Sequence, residues 1–148
     1  MPEASETIHA SAVLAGERAV IIRGPSGAGK SRLALALIEA AKRGSLSFAR
    51  LVADDRIRIS AAHGRLLVAA PETIEGMIEV HGLGIRAAEC ERMAVAGWIV
   101  DLAAKDAERM PELARTEILG VTIPRLPVAA GQDPLPILLA ALFTAPMG

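Results

Sequence analysis

Eight consecutive residues, Gly24, Pro25, Ser26, Gly27, Ala28, Gly29, Lys30 and Ser31, match the phosphate-loop pattern G-x-x-x-x-G-K-[ST] at every position. Small, permissive residues let the backbone curl until successive N–H groups point at one phosphate. Lys30 then brings a point charge to the β- and γ-phosphates, and Ser31 a hydroxyl ligand for Mg²⁺. The ligand implied is a nucleoside triphosphate, with ATP and Mg²⁺ as the expected pair. Twenty-four positions beyond Lys30, two carboxylates stand side by side at Asp54 and Asp55.

The flanking segments suit the task of holding these groups. Ala19-Val-Ile-Ile-Arg23 reads as a buried strand entering the loop, and Arg32 to Ala41 as a helix leaving it, its N-terminal dipole favouring phosphate. Lys42, Arg43 and Gly44 are stop signals for that helix. His9–Leu14 and Arg18–Arg23 predict a hairpin, as do Arg56–Ser60 and Arg65–Ala69 around His63-Gly64. Arg50–Asp55 is a short apolar strand ending in the two carboxylates, and Gly97–Leu102 a core strand. His81–Ile85 reads as a glycine-punctuated loop. Leu119–Val128 has strand composition broken by prolines, which predicts an edge or a loop. Pro136–Phe143 suits a last helix with proline at its start. A phosphate loop between strand and helix, with two hairpins nearby, predicts an α/β fold: a mixed β-sheet with flanking helices, in a single domain over 1–148.

Bulk composition excludes several classes. Apolar residues are 52% of the chain, which argues for a globular core and leans towards a homo-oligomer. A formal net charge of −1 and an aromatic content of 2% argue against a nucleic-acid partner. Cys90 is the one cysteine, so there is no internal disulfide framework. The acidic start, Met1 to Glu6, is no secretory signal, and Leu135–Phe143 is too short to span a bilayer. The expected setting is cytoplasmic, with no membrane partner.

Beyond the phosphate loop, His9-Ala10, Leu51-Val-Ala-Asp-Asp55, Ile78-Glu-Val-His-Gly-Leu-Gly-Ile85 and Ile118-Leu-Gly-Val-Thr-Ile-Pro124 occur in an order that resembles the catalytic domain of the bacterial HPr kinase/phosphorylase family. The resemblance runs from about His9 to Leu142. It implies an enzyme that uses ATP and Mg²⁺ to phosphorylate a serine of HPr, the phosphocarrier of the sugar phosphotransferase system. It also implies reverse phosphorolysis, ring-like hexamers, and a short form without the family's separate N-terminal domain. A serine hydroxyl needs a proton acceptor as its bond to phosphorus forms. By resemblance that acceptor is one of Asp54 and Asp55, the division between them being open. Glu79 becomes the second magnesium-side ligand after Ser31, and His9 the histidine that orients the catalytic Asp or neighbouring phosphates. Arg109, in Glu108-Arg-Met-Pro111, falls where the family has a functional arginine.

Three departures stand out. His81 replaces an arginine of the Arg-Gly-Leu-Gly-Ile signature, which predicts a weakened or retuned anion contact, since histidine is charged only when protonated. The family's Pro-Val-Arg-Pro-Gly-Arg-Asn loop is here Pro127-Val-Ala-Ala-Gly-Gln-Asp133, with both arginines gone, which predicts weak or absent phosphorolysis. The interval between Lys30 and Asp54 is several residues longer than in longer members, with the excess expected within Ser45–Arg50. Two other functions fit the phosphate loop: a nucleotide-binding regulator without transfer chemistry, and a small-molecule kinase. Asp54 and Asp55 argue against the first, and the lack of an arginine-rich lid against the second.

Overall fold

The computed structural model describes residues 5–107 and 114–144. In chain order the strands are β1 (Ser5–Ile8), β2 (Ser11–Ala15) and β3 (Arg18–Arg23), followed by helix α1 (Lys30–Lys42). Then come β4 (Ala49–Ala53), β5 (Ile57–Ala62), β6 (Arg65–Ala69), a 3₁₀ turn (Glu72–Ile74), β7 (Met77–Val80) and β8 (Gly84–Ala87). The chain continues through β9 (Met93–Asp101), β10 (Arg115–Ile118) and β11 (Val121–Pro127) to helix α2 (Pro134–Phe143).

β3 is the axis of the main sheet. Ala19, Val20, Ile21 and Ile22 are all buried, the mark of a strand covered on both faces. β2 pairs with it antiparallel and β9 parallel, and β4 adds beyond β2. The other edge of β9 serves two neighbours. Its first residues pair antiparallel with β6, and its last three pair parallel with β11. The sheet therefore forks along β9 into an antiparallel wing, β6-β5-β1, and a parallel core, β3-β9-β11. Both hairpins form as the sequence predicts, and the sheet is mixed.

Alternation along β3 sorts the core into two layers. Val20 and Ile22 pack with Leu33, Ala34 and Leu37 of α1 and with Leu138 of α2. Ala19 and Ile21 pack on the opposite face with Ile57, Ile59, Leu66 and Val68 of the wing. Leu33, Ala34, Leu37 and Ala40 form the single buried stripe expected of a helix lying on a sheet. α1 stops where its sequence says: Gly44 takes φ +84°, its N–H donates to Ala41 O (3.1 Å) and that of Ser45 to Ala40 O (2.8 Å), the Schellman pattern.

Three expectations are corrected. Leu119–Val128 is neither edge nor loop: β11 pairs with β10 through Val121–Pro124 and with β9 through Arg125–Pro127. The prolines are tolerated because N–H direction alternates along a strand. Arg125 N–H donates to Ala114 O and Val128 N–H to Asp101 O, so the nitrogens of Pro124 and Pro127 face away from those partners. His81–Ile85 is a tight turn whose end already belongs to β8, which pairs with β7 as a separate hairpin. α2 begins at Pro134, two residues early, because the Asp133 side chain caps it by accepting from Leu135 N–H (3.2 Å).

Candidate active site

The phosphate loop joins the end of β3 to the start of α1. Gly29 precedes the helix in the left-handed region, φ +102°, a conformation that turns the chain from loop into helix at little cost only for glycine. Gly24 is required for a different reason. A Cβ there would lie 3.1 Å from Leu102 Cβ and 3.2 Å from Leu102 O, where β9 leaves the sheet. Lys30 is 7% exposed, and its Nζ donates to the carbonyls of Gly24 (2.8 Å) and Pro25 (3.1 Å) inside the curl.

The adjacent carboxylates sit in opposite environments. β4 ends at Ala53, the chain turns, and Asp55 takes φ +72°, uncommon for a residue with a side chain. Asp54 is 5% exposed. Its Oδ1 accepts from the hydroxyls of Ser31 (2.6 Å) and Ser11 (2.8 Å), and its Oδ2 from Glu79 N–H (3.0 Å). The Asp55 side chain is 64% exposed, and its Oδ1 lies 2.6 Å from Nε2 of His9, which follows β1. One carboxylate is thus lashed to the phosphate loop, and its neighbour projects towards solvent beside an imidazole.

A cleft of about 700 Å³ brings these groups together. Its lining includes His9, Lys30, Ser31, Asp55, Glu79 and His81. Eight candidates from the sequence (Ser26, Gly27 and Gly29 of the loop with His9, Lys30, Ser31, Asp55 and Glu79) therefore share one space with His81, and Asp54 stands behind it, bonded to Ser31. Arg109 lies outside the described residues. The donor set beside Lys30 is all oxygen: the Ser31 hydroxyl, the Asp54 carboxylate bonded to it, and the carboxylate of Glu79, whose N–H is bonded to Asp54 and which lines the cleft. That suits Mg²⁺, a hard ion that takes one or two carboxylates and completes its shell with phosphate and water.

Two features went unread in the sequence. Ser11, fully buried at the start of β2, donates to Asp54 Oδ1 and accepts from Asp55 N–H (3.1 Å), so one hydroxyl braces the Asp54 carboxylate and the Asp55 backbone. No spacing rule marks it, because its partners lie more than forty residues away. The second feature is a chain of ion pairs at the carboxyl ends of β3, β9 and β11. Arg23 forks onto Asp101 (2.7 and 2.8 Å), and Arg125 joins Asp101 to Asp106. Burial alone would raise the Asp101 carboxyl, but hydrogen bonds and charge from Arg23 and Arg125 outweigh it and hold it below its ordinary value. Asp106 is lowered by its bond to Arg125, and Arg125 is raised above the usual arginine range, chiefly by Asp106 and then Asp101. A strand ending in Asp beside a phosphate loop was the available signal, yet Asp101 is committed to two arginines and not to the cleft.

Residues 3–91 match the model of the family described as HPr Serine kinase C-terminal domain. The chain belongs to this family. It is 39% identical over 138 residues to the HPr kinase/phosphorylase of Azoarcus sp. (strain BH72), a match that covers 82% of this chain and 42% of that protein. It is 48% identical over 66 residues to the HPr kinase/phosphorylase of Clostridium tetani, covering 45% of this chain and 19% of that one. The fold resembles the Hpr(Ser) kinase/phosphatase from Coxiella burnetii with a TM-score of 0.72 and 26% identity over 93% of both chains. The HPr kinase C-terminal domain is therefore the unit in hand, and the chain spans well under half the length of the curated relatives it matches. No described helix is long and apolar enough to cross a membrane.

Proposed function

We propose that this domain transfers the γ-phosphoryl group of ATP to a serine hydroxyl of HPr. The observation that carries the reading is the exposed Asp55–His9 pair sharing one cleft with Lys30 and Ser31. Asp55 accepts the serine proton as the serine oxygen bonds to the γ-phosphorus, and the bond from that phosphorus to the β-bridging oxygen breaks. His9 holds the Asp55 carboxylate in position. Lys30 leaves its carbonyl partners for the β- and γ-phosphates. Asp54 and Ser31 hold the Mg²⁺ side of the site, with Glu79 as a further oxygen donor; Mg²⁺ supplies neutralisation of charge on the β- and γ-oxygens. This reading divides the pair: Asp55 as base, Asp54 as the metal-side carboxylate.

Phosphorolysis is proposed to be weak because Pro127–Asp133 carries no arginine. A homo-oligomer is proposed from α2, which is apolar throughout its ten residues and buries only Leu138 fully, leaving Phe143 62% exposed. The test of the function is intact-mass analysis of HPr from the same organism after incubation with this protein, ATP and Mg²⁺. One phosphate on a serine is expected, with kcat reduced by about 10²–10⁴-fold in Asp55→Asn and ATP affinity kept. ATP binding without transfer to HPr would refute the kinase reading and favour a nucleotide-binding regulator.

A further inference from the structure

The three parallel strands of the core end in one row. β3 closes at Arg23, β9 at Asp101 and β11 at Pro127, and the register sets Asp101 opposite both of the others. The residue after Arg23 is Gly24, the first of the phosphate loop. Arg23 is held there twice. Its carbonyl accepts from Leu102 N–H (2.9 Å), and its guanidinium forks onto the Asp101 carboxylate, which is 15% exposed. Asp101 is held in turn: its Oδ2 accepts from Arg125 Nε, and its carbonyl from Val128 N–H (2.9 Å). Side chains and backbone are thus pinned together at the root of the loop, by groups that no step of the proposed transfer uses.

The loop depends on that root. A space of about 350 Å³ borders Pro25–Ala28, with Leu102, Ala103 and Val128–Gln132 also lining it, so this flank of the loop lies open and is not packed against protein. The loop is therefore placed by its two ends. The α1 end is fixed by the buried stripe of the helix. At the β3 end, Gly24 lies so close to Leu102 that any shift of Leu102 moves it. Lys30 also ties down this end through the carbonyls of Gly24 and Pro25, but it gives up those bonds when it turns to a phosphate. Leu102 and the ion pair beside it then remain. We infer that Asp101 positions the phosphate loop for its ligand, acting through Arg23 and Leu102 and touching no phosphate itself. The inference rests on the nucleotide reading of the loop proposed above. A guanidinium forked onto a carboxylate fixes direction as well as distance. An amide at position 101 would leave Arg23 and Arg125 facing each other without the charge that joins them.

The experiment titrates ADP and inorganic tripolyphosphate, each with Mg²⁺, by calorimetry at a temperature where circular dichroism shows every variant folded. Asp101→Asn is expected to raise the Kd of both probes about tenfold, the effect of one charged hydrogen bond. Arg23→Gln is expected to act alike and carries the test alone if Asp101→Asn does not fold. The double variant should bind no more weakly than the weaker single one, because both changes break the same link. Gly97→Ala is the control, since it strains β9 against β3 at Arg18, the end of β3 away from the loop, and should change either Kd less than about twofold. Wild-type Kd values in Asp101→Asn and Arg23→Gln, or equal weakening in Gly97→Ala, reduce the ion pair to a source of stability and overturn the inference. Additive losses in the double variant overturn the route through Arg23. A wild-type protein that binds neither probe overturns the nucleotide reading itself, and the positioning role with it.

Discussion

Ser11→Ala isolates a side chain that bonds the Asp54 carboxylate and the Asp55 backbone at once. The change removes a buried hydroxyl that donates to Asp54 Oδ1 at 2.8 Å and accepts from Asp55 N–H at 3.1 Å. Asp54 keeps Ser31 and Glu79 N–H as donors. Once Ser31 turns its oxygen towards a magnesium ion, however, its proton no longer serves Oδ1, and Ser11 is the remaining hydroxyl on that atom. Asp55 loses the group that fixes its N–H in a left-handed turn, while Ala10 N–H (3.2 Å to Asp55 O) and His9 Nε2 (2.6 Å from Asp55 Oδ1) still tie the turn to the residues before β2. A hydrogen bond to a charged group is worth about 1.5–3 kcal/mol, and an orphaned N–H costs about 1–3 kcal/mol. If half of the combined loss, about 1.2–3 kcal/mol, falls on the transition state, kcat drops roughly 10- to 150-fold. Steady-state phosphorylation of HPr, with kcat, KM for ATP and the Mg²⁺ dependence fitted separately, is the assay. The expected pattern is a lower kcat, a weaker apparent Mg²⁺ affinity and an ATP KM changed less than threefold, with Ser11→Thr restoring most of kcat. A variant with a lower Tm but wild-type kcat and Mg²⁺ dependence would make Ser11 an ordinary core residue and refute the argument.

His9→Ala removes the exposed partner of Asp55 and is expected to lower kcat about 5- to 10-fold, a loss of roughly 1 kcal/mol for a solvent-accessible pair; an unchanged pH–rate profile would count against its role. The ion-pair chain predicts an acid limb in stability. Asp101 and Asp106 have lowered values, so their stabilisation is complete above the unfolded carboxylate value of about 4 and fades as pH falls through the lower folded values. The Tm gap between wild type and Asp101→Asn should stay constant from pH 7 to about pH 5 and shrink below pH 4; a gap that widens in acid would contradict the assignment. Gly97→Ala places a Cβ 2.6 Å from Arg18 Cβ on β3, next to the register shift between the two strands. Urea denaturation should register a loss of about 1–3 kcal/mol, as overpacking does, and a change under 0.5 kcal/mol would mean that the strands separate freely there.

The phosphate loop, its strand and its helix were legible because everything that makes them is local. Glycine conformation, the apolar run of β3, the buried stripe of α1 and its Schellman stop are properties of neighbours in the chain. The two hairpins were legible for the same reason, since short turns join strands that pair with their sequence neighbours. β11 was misread because a proline's cost depends on which way its missing N–H points, and that depends on where β9 and β10 lie. The family resemblance supplied Asp54, Asp55, Glu79 and His9 as a group, without ranking the two aspartates. Their separation is a tertiary event. Ala10 and Ser11, arriving from the far side of the chain, clamp the turn after β4, so that Asp54 faces Ser31 and Asp55 faces His9. Asp101 and its arginines make the same point, for Arg23 meets it across 78 residues. Sequence by itself determined the form of the loop from Gly24 to Ser31, its glycine turns and the helix that follows, because that form is written in contiguous backbone. Which carboxylate is buried against the loop and which stands free in the cleft was decided only when distant strands met, because solvation and hydrogen-bond partners belong to a place in the fold and not to a position in the chain.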